Sequence, residues 1–128
     1  MIVLDADVII AHFDASNVHH ERAETLLTRE IGEDFGANPL TLAEVLVVPA
    51  RDNRLETVRT ALRELEVQEL PFPDDTAVKL AELRAATGLK MPDCCVLLTA
   101  EHCAARVASF DDRVIQAAIT RNVEALSQ

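Results

Sequence analysis

The chain has 128 residues, enough for one domain with one core, and its composition of 49% apolar and 27% charged residues excludes disorder. Its formal net charge of −10, from 12 basic and 22 acidic residues, argues against a broad basic face that grips nucleic acid. With four Phe and no Trp or Tyr, the core must be aliphatic, and aromatic base-stacking platforms are not expected.

Residues 2–5 of the opening IVLDADV read as a short, continuously apolar strand, the kind buried on both faces of a parallel sheet. A helical stretch follows through Ala11. Ser16 or Asn17 is placed to cap a second helix, HHERAETLLTREI, with Ala23, Leu26, Leu27 and Ile31 at helical spacing. DFGANP carries a brief second strand and ends at Pro39. Thr41 precedes a helix over LAEVLVVPA, which Pro49 is expected to break. RLETVRTALREL is an amphipathic helix and VQELPF a third short strand.

PDDTAVKLAELRAATG is the next helix, with Asp74 or Asp75 at its start and Gly88 past its end. MPDCCVLLTAEHC is another, with Pro92 in its first turn. RVASF is a fourth strand, DDRVIQAAIT a helix and VEAL a fifth strand. Strands alternating with helices imply an α/β fold of three layers, α/β/α, around a mainly parallel sheet of four or five short strands. No linker rich in Gly, Ser or Pro divides the chain, so residues 1–128 read as a single domain.

No apolar run approaches the length of a membrane span, and no basic segment precedes an apolar one at the start. The first strand begins almost at Met1, so a cleaved leader is not expected. Cys94, Cys95 and Cys103 are odd in number and form no C-x-x-C pair, which predicts reduced core thiols and a cytoplasmic protein.

Burying a carboxylate is costly without compensation, so the acids that end the first strand need an edge or a cation. In an open parallel sheet, sites form beyond the carboxyl ends of the strands. Asp5 ends strand one, Asp111 follows strand four, and Glu44 lies on the first turns of the helix after strand two. Asp93 lies in the first turn of the helix that feeds strand four, which must start at that same edge. Four carboxylates thus converge, and their mutual repulsion calls for a divalent cation among them. All-oxygen ligation suits Mg²⁺ or Mn²⁺ and metal-assisted hydrolysis of a phosphate ester. The competing reading is that these acids only cap helices, where Asp is favoured anyway.

At these positions the sequence resembles the PIN-domain nucleases, most closely the VapC-type toxins of toxin–antitoxin pairs. MIVLDADVIIAHFD resembles their opening strand and first acid, HHERAETLL their second helix, and PLTLAEVLVVPAR the segment bearing the second acid. GLKMPDCCVLLTAEHCAARVASFDDRV resembles the stretch with the third and fourth acids, and the likeness spans almost all 128 residues. It implies a PIN-like fold and a Mg²⁺- or Mn²⁺-dependent endoribonuclease that leaves a 5′-phosphate and a 3′-hydroxyl. Asp5, Asp93 and Asp111 would be the principal metal carboxylates, with Glu44 completing the cluster or orienting water. A homodimer and a VapB-like antitoxin are implied as well.

Asp7 stands where the family commonly has Asn, Ser or Thr. Asp112 competes with Asp111 for the fourth place, and Ser109-Phe110-Asp111 fits the family's Thr/Ser-x-Asp pattern. Thr41 and Ser109 are auxiliary candidates for holding a carboxylate or phosphate, with helix capping as the alternative. His19 and His20 are expected on the solvated side of their helix, and no histidine is placed as a general base. Arg59 and Arg63 suit surface pairs with Glu56 or Glu66, whereas Arg51 is the better RNA-binding candidate. Two other functions compete. A haloacid dehalogenase-like phosphatase would use Asp5 as nucleophile and Asp7 as acid/base; a non-catalytic PIN scaffold would use none of the acids.

Overall fold

The computed structural model describes residues 1–127. Among them, strands β1 (Ile2–Leu4), β2 (Phe35–Ala37), β3 (Val67–Glu69), β4 (Arg106–Ala108) and β5 (Ala125–Leu126) form one parallel sheet in the order β3-β2-β1-β4-β5. The helices are α1 (Ala6–Phe13), α2 (His20–Arg29), α3 (Pro39–Arg51), α4 (Leu55–Glu64), α5 (Thr76–Thr87), α6 (Met91–His102) and α7 (Asp112–Thr120). The chain builds outward from β1 through β2 to β3, then returns to place β4 and β5 on the other side. The order therefore reverses between β1 and β4, a switch point of the kind beside which sites form in open parallel sheets.

Register and alternation account for the three layers. Ile2 lies opposite Phe35 and Arg106, and Val3 lies opposite Val107. Ile2 and Leu4 join Phe35, Leu26, Val45 and Val58 in the core on the α1–α4 side. Val3 faces the other way and joins Val107, Leu97 and Ala118 on the α5–α7 side. Helix α6 is buried without a break from Cys94 to Ala100, as a central helix should be.

Several boundaries differ from the sequence reading. α3 starts at Pro39, not Leu42, because Asn38 caps it: Asn38 Oδ1 accepts the Thr41 N–H at 2.9 Å, and Pro39 takes the first turn. Pro49 does not break α3. It falls in the last turn, where it forfeits one donor, and the helix runs on to Arg51. Neither Ser16 nor Asn17 caps α2; Asn17 Oδ1 accepts the His19 N–H, forming a turn ahead of the helix. Asp75 has a left-handed backbone and no capping bond, while Gly88 (φ 72°) ends α5 as expected.

The strands are shorter than expected. β1 stops at Leu4, β3 at Glu69 and β4 at Ala108, so Asp5 and Ser109 lie just outside the ladder. Among the described residues no helix is long and apolar enough to cross a membrane. Cys94 and Cys95 are buried, Cys103 is half-buried, and all three are free.

Asn38 is fully buried, and its Nδ2 has no partner. Asn38→Ala is expected to destabilise the protein by about 1–2 kcal/mol, the usual value of such a cap. Asn38→Asp should cost more, because it keeps the cap but buries a charge. Urea unfolding of the two variants checks the ranking.

Candidate active site

A single hydroxyl joins the acids beyond the carboxyl ends of β1 and β4. Asp5 directly follows β1 and caps α1, its Oδ1 accepting the Ala6 N–H at 2.8 Å. Ser109 directly follows β4 and is fully buried; its hydroxyl donates to Asp5 Oδ2 at 2.7 Å. The same Oγ accepts the Asp111 N–H at 3.0 Å. Asp111 in turn caps α7, with Oδ1 accepting the Arg113 N–H at 2.9 Å. Ser109 thus locks the two acids that end the central strands to each other.

Asp7 adds a second brace. It lies in the first turn of α1 and accepts the Phe110 N–H on Oδ2 at 3.1 Å, while its Oδ1 is buried without a partner. Asp93 comes from the first turn of α6, where the helix dipole favours an anion. Glu44 comes from α3, which packs on α6.

The electrostatics show these acids acting on one another. Burial, with Asp7 and then Asp93 adding repulsion, pushes Asp5 from 3.8 up to about 7, against the lowering effect of the Ser109 hydroxyl. Asp7 is raised mainly by burial and also by Asp111. Asp93 is raised by burial and by Asp111, offset in part by Arg113 and Lys90. Glu44 is raised by burial and by Asp93. Five carboxylates from four helices or their caps therefore share one field.

Of the residues singled out in the sequence, the fold gathers Asp5, Asp7, Glu44, Asp93, Asp111 and Ser109. Asp112, one residue past the cap, is exposed at the start of α7 and has no bond to the cluster. Thr41 is buried in the first turn of α3 with its N–H committed to Asn38. Arg51 lies at the far end of α3, about 10 Å along the axis beyond Glu44. The histidines differ from expectation: His20 Nδ1–H donates to the Ala11 carbonyl at 2.7 Å, and His19 packs on the Phe110 ring with centroids 5.3 Å apart. Both are half-buried, not solvated.

Asn38, Phe110 and Arg113 escaped the sequence reading. An Asn-Pro pair at a strand end was a usable capping signal for the first. The other two depend on long-range contacts.

The donor set fits a hard divalent cation. It is all carboxylate oxygen, it is mutually repelling, and it includes a buried oxygen without a partner. Among the described residues, no three His, Cys, Asp or Glu side chains stand close enough together to close around an ion by themselves. An ion of the Mg²⁺ type needs only one or two direct carboxylates and reaches the others through water.

A model of the PIN domain matches residues 2–120. The chain belongs to the PIN domain family. That membership displaces the dehalogenase-like alternative. No curated protein gives a significant match. Among solved structures, this PIN domain is similar to a chain of a toxin–antitoxin complex from Klebsiella pneumoniae (20% identity, 90% of each chain covered, TM-score 0.76). It is similar to FitAcB from Neisseria gonorrhoeae (23% identity, 99% of this chain and 97% of that one, TM-score 0.76). It is also similar to VapC20 from Mycobacterium tuberculosis, a toxin described as cleaving the sarcin–ricin loop (14% identity, 91% and 95%, TM-score 0.72). At these identities the likeness is one of fold, and the parallel five-stranded sheet of this PIN domain agrees with it.

Proposed function

We propose that this PIN domain, with residues 1–128 as one unit, is a Mg²⁺- or Mn²⁺-dependent endoribonuclease and the toxin of a VapC-type toxin–antitoxin pair. The observation that carries the reading is the convergence of Asp5, Asp7, Glu44, Asp93 and Asp111 at the switch point of the sheet, each lifting or lifted by another. A cluster so unfavourable in isolation implies a cation as its partner. The similarity to a chain of a toxin–antitoxin complex and to a toxin described as cleaving the sarcin–ricin loop supports the biological class.

In this reading Asp5, Asp93 and Asp111 would hold the ion, directly or through its waters, and Glu44 would complete the set or orient the attacking water. When bound, the ion lowers the pKa of an adjacent water and offsets the negative charge that develops on the phosphate. The chain's own residues supply the preorganisation. Ser109 holds Asp5 and Asp111 in register, Asp7 fixes the Phe110 backbone between them, and the start of α6 favours the anionic form of Asp93 against the burial that raises its pKa. The products are a 5′-phosphate and a 3′-hydroxyl. A homodimer and a VapB-like antitoxin complete the assembly, and a basic antitoxin segment would complement a chain of net charge −10. Three free thiols suit a cytoplasmic site of action.

The test is cleavage of a mixed RNA pool with Mg²⁺, Mn²⁺ or EDTA. Metal-dependent cuts with 5′-phosphate ends are expected, and Asp93→Asn should lower the rate by ~10²–10³-fold while folding normally. A folded wild type that cuts no RNA, including tRNA and ribosomal RNA, would leave the non-catalytic scaffold as the better account.

A further inference from the structure

A groove lies next to the acidic cluster and is joined to it at Arg113, which pairs with Asp111. This groove, of about 690 Å³, runs between the turn that ends α5 and one face of α7. Thr87, Gly88 and Leu89 form one wall; Arg113, Gln116 and Arg121 lie along the other. No acidic residue lines it, although the chain carries 22 of them.

Two cations stand beside the cluster, and one of them, Arg113, also lines the groove. Arg113 lies 3.6 Å from Asp111 Oδ2, with most of its side chain exposed. Lys90, which flanks the start of α6, is exposed and has no ion-pair partner among the described residues. Both act on Asp93, from two different elements. Arg121 closes the far end, already neutralised by a two-point contact with Glu101 at 2.6 and 3.3 Å. The wall opposite α7 is held in place, because Arg84 Nη1 donates to the Leu89 carbonyl at 2.8 Å. From Arg113 to Arg121 the helix rises about 12 Å, the length of a short run of nucleotides.

We propose that Lys90 and Arg113 are positioning residues that grip the backbone phosphates of a single RNA strand beside the acidic cluster and lead that strand into the groove between residues 86–89 and α7. The proposal rests on the nuclease reading and specifies its substrate path. An acidic protein of this charge repels RNA over most of its surface, so approach requires a local cationic lane. A lane without acids that starts at the cluster meets that need. Lys90 reads charge alone, whereas the planar guanidinium of Arg113 can hold a phosphate by two bonds.

The experiment measures binding apart from turnover. A fluorescently labelled single-stranded RNA of ten nucleotides is titrated by anisotropy in Ca²⁺ and, separately, in EDTA, with a gel to show that it stays intact. Lys90→Gln and Arg113→Gln should each weaken binding by about 3–10-fold and lower the log–log salt slope by about 0.7, as for one lost phosphate contact on a single strand. With Mg²⁺ the same variants should raise KM by a similar factor, with a smaller change in kcat. Arg59→Gln, whose native partner is Glu56 on the solvated face of α4, should change none of these values.

If wild type cuts RNA but the double variant keeps its affinity, salt slope and KM, the groove proposal is overturned and the nuclease reading stands. If wild type binds the strand through these residues yet never cuts any RNA, the lane is supported and the nuclease reading fails. No binding by wild type at low salt overturns the proposal. Displacement of the RNA by polyglutamate at equal charge concentration also overturns it, in favour of an acidic peptide.

Discussion

Asp5→Asn is expected to yield a more stable and inactive protein. In the metal-free native state, burial and the neighbouring acids hold Asp5 at about 7, against 3.8 when unperturbed. Between those values the folded chain keeps a proton that the unfolded chain has lost. Stability of the metal-free protein should therefore fall as pH rises from about 4 to 7 and level off above that. Asp7, Glu44 and Asp93 are shifted in the same direction and steepen the decline. Asparagine keeps the cap on Ala6 N–H and removes the charge. The gain at pH 7.5 should be about 2–4 kcal/mol, shrinking to near zero at pH 4. Urea unfolding in EDTA across this range measures it. Mg²⁺ should stabilise wild type at pH 7.5, and far less so the variant. A variant less stable than wild type at pH 7.5 would show that Asp5 is satisfied without a cation.

Ser109→Ala should uncouple Asp5 from Asp111 and damage both stability and rate. The hydroxyl is fully buried, donates to Asp5 and accepts from the Asp111 N–H. Its loss removes a bond to a charged group and leaves a backbone donor unpaired, about 2–4 kcal/mol together. It also removes one of the two hydrogen bonds that hold the Asp5 pKa down. Asp5 should then ionise at higher pH, so the acid limb of the pH–rate profile should move upward. Activity at pH 7 should drop ~10–100-fold and recover in part as pH rises. Ser109→Thr keeps the hydroxyl and should restore the position of the limb. An unmoved limb in Ser109→Ala would mean that the bridge serves stability alone.

Both predictions turn on residues that were partly legible in advance. The apolar run ending at Asp5, the helix signalled by Pro92 and the apolar strand that Asp111 follows put three acids at one edge, because strand ends and helix caps are encoded by near neighbours. Glu44 follows from the same local signals, although Pro49, which the sequence marks as a break, sits inside the last turn of α3. Helix boundaries suffered most where a cap competed with a turn, as at Asn17 and Asn38.

The sequence alone determined the α/β class, the strand–helix alternation and the set of acids that could meet, since all of these follow from periodicity, capping and chain order. Only the tertiary structure decided that β1 and β4 are neighbours and that Ser109 bridges Asp5 to Asp111. It alone turned Asp7 toward the Phe110 N–H, left Asp112 outside the cluster and removed Arg51 to the far end of α3. It also brought Arg113 and Lys90, from two different elements, within reach of Asp93. Those outcomes depend on the register between strands about a hundred residues apart and on which face each helix covers. A shift of one residue sends a side chain to the opposite side of a strand or around a helix by about 100°, so composition and spacing name the candidates and packing assigns their partners.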